Sequence, residues 1–393
     1  MHPSDLAPTP APTPVLTRAA PATSWHSIQL HHRTPDRTDL LLRAVRPLFA
    51  ELEGAVEAQY FMPHWRRGSH LRLQFRTTPE VFERTVRPTA EAVLGSYLAE
   101  HPSTERVDEE SELRLHRRLA FVEWELGPLT PFHPDNSLQY EPFDGRGHVV
   151  GSAAAAELLG SFHADTTPLA FAVLERAGGH AGRLAAAFDL MVATAHLVHS
   201  VPRTASSFRS HSEAFIATSS APEQVRAHLD RQYGSRAQSL RARLRAVVDA
   251  VDAGDDSIPH LAEWAGLERA LHSRAKELIA AGEISLKNSE TQREDIDEAA
   301  MTTAFLERSP FHRGLDPAAY RQLLDSVDYQ AYRLVINHLY LLMTRLGLRP
   351  VDRFTLCHLV ASAADVPVTG AEPGAADPDA AEPDAAEPGP AGG

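Results

Sequence analysis

Cysteine is almost absent from this chain of 393 residues, in which Cys357 is the only one. A single cysteine cannot form an intramolecular disulfide, and no cysteine pair is present to hold zinc. Uninterrupted apolar runs are short, since none approaches the roughly 20 residues needed to cross a bilayer. The N-terminal residues also lack the basic-then-apolar order of a signal peptide. These absences predict a cytoplasmic protein without a membrane partner.

A surplus of basic residues is missing as well. The chain has 38 Lys and Arg against 52 Asp and Glu, a formal net charge of -14. Nonspecific binding to nucleic acid draws its affinity from excess Lys and Arg, so direct contact with nucleic acid is not predicted. Residues 365–393 carry acids and no base, which leaves the rest of the chain nearer to neutral.

Common catalytic and cofactor motifs are absent too, including G-x-S-x-G, the P-loop and H-E-x-x-H. Residues 145–151 contain three glycines, but the third comes one place too late for a dinucleotide-binding fingerprint and the preceding residues make a poor strand. His196 and His199 could share a metal, yet without a third ligand an ordinary helix pair is favoured. The sequence therefore predicts neither a cofactor nor a metal.

What is present is enough apolar sequence, 43% hydrophobic residues, for a large folded core. The Pro- and Ala-rich residues 1–23 and the acidic Pro/Ala tail 365–393 are typical of disordered segments. The predicted folded part is one functional domain with an α+β region at 24–150 and a mostly helical region at 151–364.

The hydrophobic pattern gives the order of elements in that folded part. Alternation predicts strands at 25–33, 59–66 and 70–76, with a turn at 67–69, while helical spacing occurs at 39–52 and 79–98. This order suggests a ferredoxin-like β-α-β-β-α layer. Residues 153–199, 221–253, 258–281 and 317–364 have helical period, so the second half is predicted to be helical.

The strand at 70–76 has a polar face formed by His70, Arg72, Gln74 and Arg76. One interpretation is the solvated face of a half-exposed sheet, which receives slightly more weight from sequence alone. The other is a carboxylate clamp, because an arginine fork matches a carboxylate and a strand holds it firmly.

Two helical segments contain further polar candidates. His338 and Arg345 interrupt an apolar stripe, and are either a core histidine with a snorkelling arginine or a proton carrier beside a cation. Arg209 and His211 belong to a polar cluster at 207–211, where a pocket role and an ordinary helix-terminus role are both open.

Four short motifs in order carry a family resemblance. They are Tyr-Phe-Met at 60–62 leading into His-Leu-Arg-Leu at 70–73, Gln-Tyr-Glu-Pro at 139–142, Asn-His-Leu at 337–339, and Thr-Arg-Leu-Gly at 344–347. With Trp25 in the first strand, they resemble the thiopeptide-type bacteriocin biosynthesis family, which is similar to the C-terminal glutamate-elimination domain of class I lantibiotic dehydratases. The resemblance covers most of residues 24–364.

The resemblance implies a cofactor-free lyase that eliminates glutamate from glutamylated Ser or Thr of a ribosomally made precursor peptide, leaving dehydroalanine or dehydrobutyrine. A separate tRNA-dependent subunit would add the glutamate, and a homodimer is possible. Arg72 and Arg146 would contact the glutamyl group, and His338 would be the acid/base. Other substrate contacts would come from His70, Arg76, Tyr140, Arg209 and Arg345. Gln74 stands where the family often has a second arginine.

Two other functions stay open. A pyridine-forming [4+2] cycloaddition enzyme of thiopeptide biosynthesis would share the fold without needing a glutamate clamp or His338. A noncatalytic scaffold would bind the precursor peptide by strand addition to an open sheet edge.

Overall fold

A computed structural model of the chain describes residues 22–286 and 307–365. The segments predicted to be disordered, 1–23 and 365–393, lie almost wholly outside those residues. Within the described part, four antiparallel strands form one sheet in the order β2-β3-β1-β4. The strands are β1 Ser24–His31, β2 Ala58–His64, β3 His70–Thr77 and β4 Ser137–Gln139.

The predicted hairpin is confirmed as β2 and β3. Its turn contains Arg67 and Gly68, both with positive φ, where glycine costs least. Met62 is paired with Arg72 in the register, and the apolar positions of β3 point to the opposite face from the polar ones. On that apolar face Leu71 and Leu73 are fully buried.

Helices form most of the rest. Two of them, α1 and α2, are continuous helices in which a π-helical segment lies between two α-helical segments. In chain order the helices are α1 (Thr38–Leu40, Leu41–Val45, Arg46–Glu51), α2 (Pro79–Val81, Phe82–Val86, Arg87–Glu100), α3 Glu109–Glu123, α4 Gly147–Val150, α5 Ala153–Asp165, α6 Thr167–Ala177, α7 His180–Val198, α8 Val201–Thr218, α9 Pro222–Gly234, α10 Ala237–Ala253, α11 Leu261–Ala280, α12 Pro310–Arg313, α13 Pro317–Asp325, α14 Val327–Arg345 and α15 Pro350–Ala363.

This mixed architecture confirms the α+β class, with the sheet in the N-terminal part and a mostly helical remainder. The ferredoxin-like arrangement of the first layer stays a prediction.

The core joins the sheet to the helices. A continuous cluster of buried hydrophobic side chains extends from Ile28 in β1 to Ala363 in α15. Helix α7 lies inside it, with Trp264 of α11 donating a hydrogen bond to Thr194 at 2.9 Å. Helix α7 is also long and apolar enough to span a membrane, but 61% of its apolar window is buried inside the protein.

The polar face of the sheet is buried, so the expectation of a solvated face is wrong. Its central side chains on β1 and β3 are each at most 6% exposed: Ser27, Gln29, His31, His70, Arg72 and Gln74. The reason is tertiary, because α5 and the loop residues 124–136 and 140–146, on either side of β4, cover this face. Gly160 of α5 lies against the Trp25 indole, where an added Cβ would come within 3.1 Å of the ring.

Candidate functional site

A buried carboxylate, Glu125, lies at the centre of the basic groups on the polar sheet face. Helix α3 ends at Trp124, whose left-handed backbone turns the chain there. The Glu125 Oε1 atom is 3.4 Å from Arg72 Nη2 and 3.5 Å from Arg66 Nε, and Oε2 is 3.3 Å from Arg146 Nε. Three guanidinium groups therefore share one acid, which is 6% exposed.

The charges at this cluster keep the acid ionised. Burial alone would raise the pKa of the Glu125 carboxyl, but the interaction with His64 and the charges of Arg72 and Arg146 lower that pKa to about 2. Burial in turn lowers the pKa of His64 to about 4, so its imidazole is neutral at pH 7. We name Glu125, Arg66, Arg72 and Arg146 the Glu125 cluster.

A second carboxylate, Glu141, fixes the covering loop to the hairpin. It accepts hydrogen bonds from Arg67 Nη1 at 2.8 Å and from Gln29 Nε2 at 2.9 Å. His133 Nε2 lies 3.1 Å from the same carboxylate. Because Glu125 and Glu141 both pair with hairpin arginines, they hold this segment over the polar face.

A separate buried layer contains His338 and Arg345 of α14, next to α5. His338 Nδ1 donates to the Leu334 carbonyl at 2.8 Å, and its ring meets Phe162 edge-on at 4.9 Å. Burial lowers the pKa of His338 to about 4. Arg345 donates to the His163 carbonyl at 3.0 Å and to Thr166 Oγ1 at 2.8 Å. The His338 imidazole is therefore neutral near pH 7, and the Arg345 guanidinium already donates hydrogen bonds to a backbone carbonyl and a hydroxyl.

Neutral hydrogen-bonding groups form two neighbouring sets where α8 meets α12, α14 and α15. His312 Nε2 lies 2.9 Å from Ser210 Oγ, and its Nδ1 lies 2.7 Å from Ser309 Oγ. Beside them, His211 Nδ1 is 2.6 Å from Tyr340 Oη, which is 3.3 Å from Cys357 Sγ. We call five of these polar residues the Ser309 network: Ser210, His211, Ser309, His312 and Tyr340.

Burial favours the uncharged form of the titratable groups in this network. It lowers the pKa of both His211 and His312 to about 4 and raises the pKa of the Tyr340 phenol. Near pH 7 the imidazoles are therefore uncharged and the phenol keeps its proton. Each group can donate one hydrogen bond and accept another.

An open cleft of about 400 Å³ reaches Ser309. Its wall is mainly apolar, and charged side chains sit at its rim. The lining residues include Ile216, Ala217, Pro222, Ala227, Arg226 and Pro310. The Arg226 guanidinium pairs with the fully buried Glu213 of α8. The cleft could accept a peptide segment, with the Ser309 network at one end.

Comparison with known proteins now identifies the family. The family described as Lantibiotic biosynthesis dehydratase C-term matches residues 25–364. The chain belongs to this family. No curated protein matches it. Membership of the dehydratase C-terminal family confirms the resemblance drawn from the four motifs.

Two solved structures are similar to this chain over most of its length. The pyridine synthase TbtD from thiomuracin biosynthesis is 34% identical, with a TM-score of 0.71, covering 86% of this chain and 97% of that one. TsrL is 22% identical, with a TM-score of 0.61, covering 87% of this chain and 94% of that one, and shows the fold alone.

The residues predicted from family motifs are divided among several places. Arg72 and Arg146 meet at Glu125, whereas His338 and Arg345 occupy the α5–α14 layer. His70 is buried on β3, the strand that also carries Arg72, and its Nδ1 lies 2.8 Å from the Gly68 carbonyl. Their roles stay predictions.

Three further candidates lie elsewhere. Arg76 pairs with Glu57 and Glu157, and Tyr140 donates to Glu91 at 2.9 Å. Arg209 lies in the middle of α8, so a helix-terminus role is wrong for it. Its guanidinium donates to Ser362 Oγ at 3.0 Å.

No group of three potential metal ligands was found among the described residues. His196, considered above as a ligand, lies 2.6 Å from Asp252 instead. The three-glycine segment contains α4, which follows Arg146 rather than a strand.

Sequence reasoning missed Glu125, Ser309, His312 and Tyr340. For Glu125 a signal exists, because residues 58–79 contain four arginines and no acid. Buried arginines need carboxylates from elsewhere in the chain. Ser309 and His312 gave no comparable signal, since their contacts to α8 depend on tertiary packing.

Proposed function

We propose that this protein forms the pyridine ring of a thiopeptide by a formal [4+2] cycloaddition between two dehydroalanines of a precursor peptide. The observation that carries the proposal is the 34% identity to a pyridine synthase over 97% of that chain. The precursor peptide is the partner this reaction requires. Glutamate elimination, the function first expected, receives less support.

The chemistry can be written from its bonds. The amide preceding one dehydroalanine tautomerises to its iminol, which gives a 2-azadiene. Two carbon–carbon bonds then form to the second dehydroalanine. Loss of the iminol hydroxyl as water and of the leader segment as a carboxamide makes the ring aromatic. No oxidant is consumed and no net charge develops, so the enzyme needs neutral donors and acceptors of protons.

The Ser309 network matches that need. Its imidazoles are neutral and its hydroxyls are protonated, so it can exchange a proton at an amide without placing a charge beside the ring-forming atoms. Ser309 borders the cleft, which has apolar walls suited to dehydroalanine side chains. We assign Ser309 the hydrogen bond to the reacting amide, with His312 and Ser210 behind it.

Glutamate elimination makes a different demand, because a departing carboxylate needs a cation that is free to bind it. In the described residues the Glu125 carboxylate already lies 3.3–3.5 Å from Arg66, Arg72 and Arg146 and competes with a second carboxylate, although Nε of Arg72 and of Arg146 has no hydrogen-bond partner there. His338 is enclosed against Phe162. These contacts favour cycloaddition over elimination.

A noncatalytic scaffold is less favoured as well. The edge strand β2 contains Pro63, which has no N–H to donate. Phe61, on the same strand, packs on Phe171 of α6, and the Arg345 guanidinium lies over its ring. These helices cover the apolar face of β2, and the proline interrupts the row of donors along its edge.

The test compares two synthetic precursor peptides by mass spectrometry. One carries two dehydroalanines in the core and an intact leader, and the other carries glutamyl esters on serine. We expect the first to lose water and to release a leader that ends in a carboxamide, while the second keeps its ester. Loss of glutamate from the second, with the first unchanged, would establish elimination instead.

Variants then locate the site. Ser309→Ala is expected to lower kcat about 100-fold, the usual size of a proton-transfer contribution. Ser206→Ala on α8 is the matched control outside the network. Equal rates in the variant and the control would remove the network from the mechanism.

A further inference from the structure

The end of α9, the turn after it and α10 form a basic surface on a chain that is acidic overall. Residues 231–248 contain five arginines and no Asp or Glu. One of them, Arg243, is paired with Asp189 of α7. Among the acids of the described residues, only Asp365 forms an ion pair with any of the others. These other four are exposed, and we name them the α10 arginines: Arg231, Arg236, Arg241 and Arg245.

The one acidic partner of the α10 arginines is the first residue of the acidic tail 365–393. Arg241 Nη2 donates to Asp365 Oδ1 at 2.7 Å, and Arg241 Nε donates to the Tyr233 hydroxyl at 2.9 Å. Arg245 lies one helical turn further along α10, on the same side as Arg241. Residues 366–393 therefore begin at the α10 arginines, where the first acid of the tail is already paired.

The charged side chains of residues 366–393 are all acidic. These residues contain no Lys or Arg, and acids recur every five positions, each directly before a proline, at 372, 377, 382 and 387. A Pro-rich chain spans about 3.1 Å per residue, so residues 366–372 can extend about 20 Å. Arg241 and Arg245 are only about 6 Å apart along the axis of α10. The acids of the tail can therefore reach these arginines without any change in the fold.

Two other acidic candidates fit the surface less well. Residues 287–306 also carry acids, but Lys287 and Arg293 lie among them, whereas the tail has no base and is paired with the surface at Asp365. The tail of a second copy has the same charges but is not attached to the surface. A tethered segment acts at an effective concentration in the millimolar range, which exceeds that of free copies in a dilute solution. The tail of the same molecule is therefore the favoured occupant.

We propose that residues 366–393 bind back onto the α10 arginines of the same molecule and shield this surface from other polyanions. Each exposed ion pair contributes little by itself. Because the tail is attached beside the surface and carries several acids, its ion pairs form together. Salt weakens the contact, since exposed charges are screened. An acidic molecule has to displace the tail before it can bind at α10.

The first experiment detects the contact by chemical crosslinking of the full chain. Lysine occurs only at positions 276 and 287, so a lysine placed on α10 is a specific probe. In the Arg245→Lys variant, a water-soluble carbodiimide couples the new amine to an adjacent carboxylate with loss of water, and mass spectrometry identifies the acid. We expect links from position 245 to the tail acids at 372–387, reduced at least about fivefold when the salt is raised to about 1 M.

The matched control is Arg106→Lys, because Arg106 is also an exposed arginine without an ion pair among the described residues. It should give no links to the tail. A mixture of unlabelled and isotope-labelled protein separates links within one molecule from links between two. Links from position 245 to the acids at 290–298 in place of the tail, links between copies, equal links in the control, or no link to the tail would each overturn the proposal.

The second experiment measures the shielding, again with the full chain. The six acids of residues 366–393 are replaced together by their amides: Glu372→Gln, Asp377→Asn, Asp379→Asn, Glu382→Gln, Asp384→Asn and Glu387→Gln. The probe is a fluorescein-labelled peptide of about twelve glutamates, and its binding is followed by fluorescence anisotropy. We expect the amide variant to bind the probe at least about tenfold more tightly than the wild type.

Further substitutions in the amide variant show where the gain comes from. Arg241→Glu/Arg245→Glu is expected to abolish it, whereas Arg84→Glu/Arg106→Glu, the same change of charge at exposed arginines elsewhere, should keep most of it. Each pair has one arginine that is ion-paired in the described residues and one that is not. An amide variant that binds the probe no better than the wild type, or an equal loss in both double variants, would overturn the shielding.

Discussion

At the scale of single residues, Glu125 sets the charge balance of the buried sheet face. Its carboxylate is shared by Arg66, Arg72 and Arg146, so its removal leaves the buried Arg72 and the two partly exposed arginines without their common partner. Breaking one side of a buried ion pair is costly, because the remaining charge has lost both water and its counter-ion.

We expect Glu125→Gln to lower the free energy of unfolding by about 3–5 kcal/mol, measured by urea denaturation at pH 7. The control is Glu83→Gln, which changes an exposed acid paired with Arg87. If both variants unfold at the wild-type urea concentration, the Glu125 cluster does not stabilise the fold.

The same residue predicts how stability depends on acid. The pKa of Glu125 is depressed to about 2 in the folded protein, below its ordinary value of 4.5. Its contribution is therefore complete above about pH 4.5 and is lost as the pH falls toward 2. The Gln variant is expected to lack this part of the acid sensitivity.

Glu268 of α11 predicts the opposite pH dependence. Neither carboxylate oxygen has a hydrogen-bond partner in the described residues, and burial raises the pKa of Glu268 to about 7. Stability is full below about pH 4.5 and falls as the pH rises through 7, by roughly 3 kcal/mol at high pH. Glu268→Gln should remove this fall between pH 5 and pH 8 in urea titrations.

The control for that measurement is Glu277→Gln, an exposed acid on the same helix. It should keep the wild-type pH dependence. A wild-type protein whose stability is flat between pH 5 and pH 8 would contradict the assignment to Glu268.

At the scale of elements, Arg345 joins the end of α14 to the end of α5. It donates to the His163 carbonyl and to the hydroxyls of Thr166 and Thr167. Hydrogen bonds that involve a charged group each contribute about 1.5–3 kcal/mol. Arg345→Met is therefore expected to destabilise the protein by more than about 3 kcal/mol in urea denaturation.

Arg321→Met on α13 is the control, since that side chain is exposed. A destabilised Arg345 variant that still converts substrate at the wild-type kcat, below its unfolding transition, would assign Arg345 to the fold. A stable variant with a raised KM would assign it to substrate binding.

Strands and helices were predictable where the hydrophobic pattern repeats with the period of a strand or of a helix. Alternation in β3 located the strand and separated its two faces, with Leu71 and Leu73 on the apolar one. It could not show that Arg72 is buried, because the cover comes from the segment 124–146, which has no repeating pattern. The contacts of Glu125 and Glu141 bring that segment to arginines 53 to 75 positions away in sequence.

At the scale of the whole molecule, the sheet and the helices share one set of buried side chains. A continuous core of this kind predicts a single cooperative unfolding transition. Calorimetry should give one peak, with equal calorimetric and van't Hoff enthalpies. Two separated peaks would show that the sheet-containing and helical regions unfold independently.

The family was predicted correctly because four short motifs occur in the order that the family has. The α+β class was predicted correctly because the hydrophobic pattern changes from alternation to helical spacing along the chain. The functional prediction was less successful, since the motif residues Arg72 and His338 were interpreted without their surroundings. A buried partner acid and an enclosing Phe162 ring change what those two side chains can do, and neither is encoded near them in sequence.

The position of Cys357 has a chemical consequence for an enzyme of the proposed kind. Dehydroalanine is an electrophilic alkene, and an ionised thiol adds to it to form a stable thioether. Cys357 is fully buried beside Tyr340, and burial raises the pKa of its thiol to about 12. The single sulfhydryl of the chain is thereby kept both protonated and out of reach, so the protein can hold a reactive substrate without being alkylated by it.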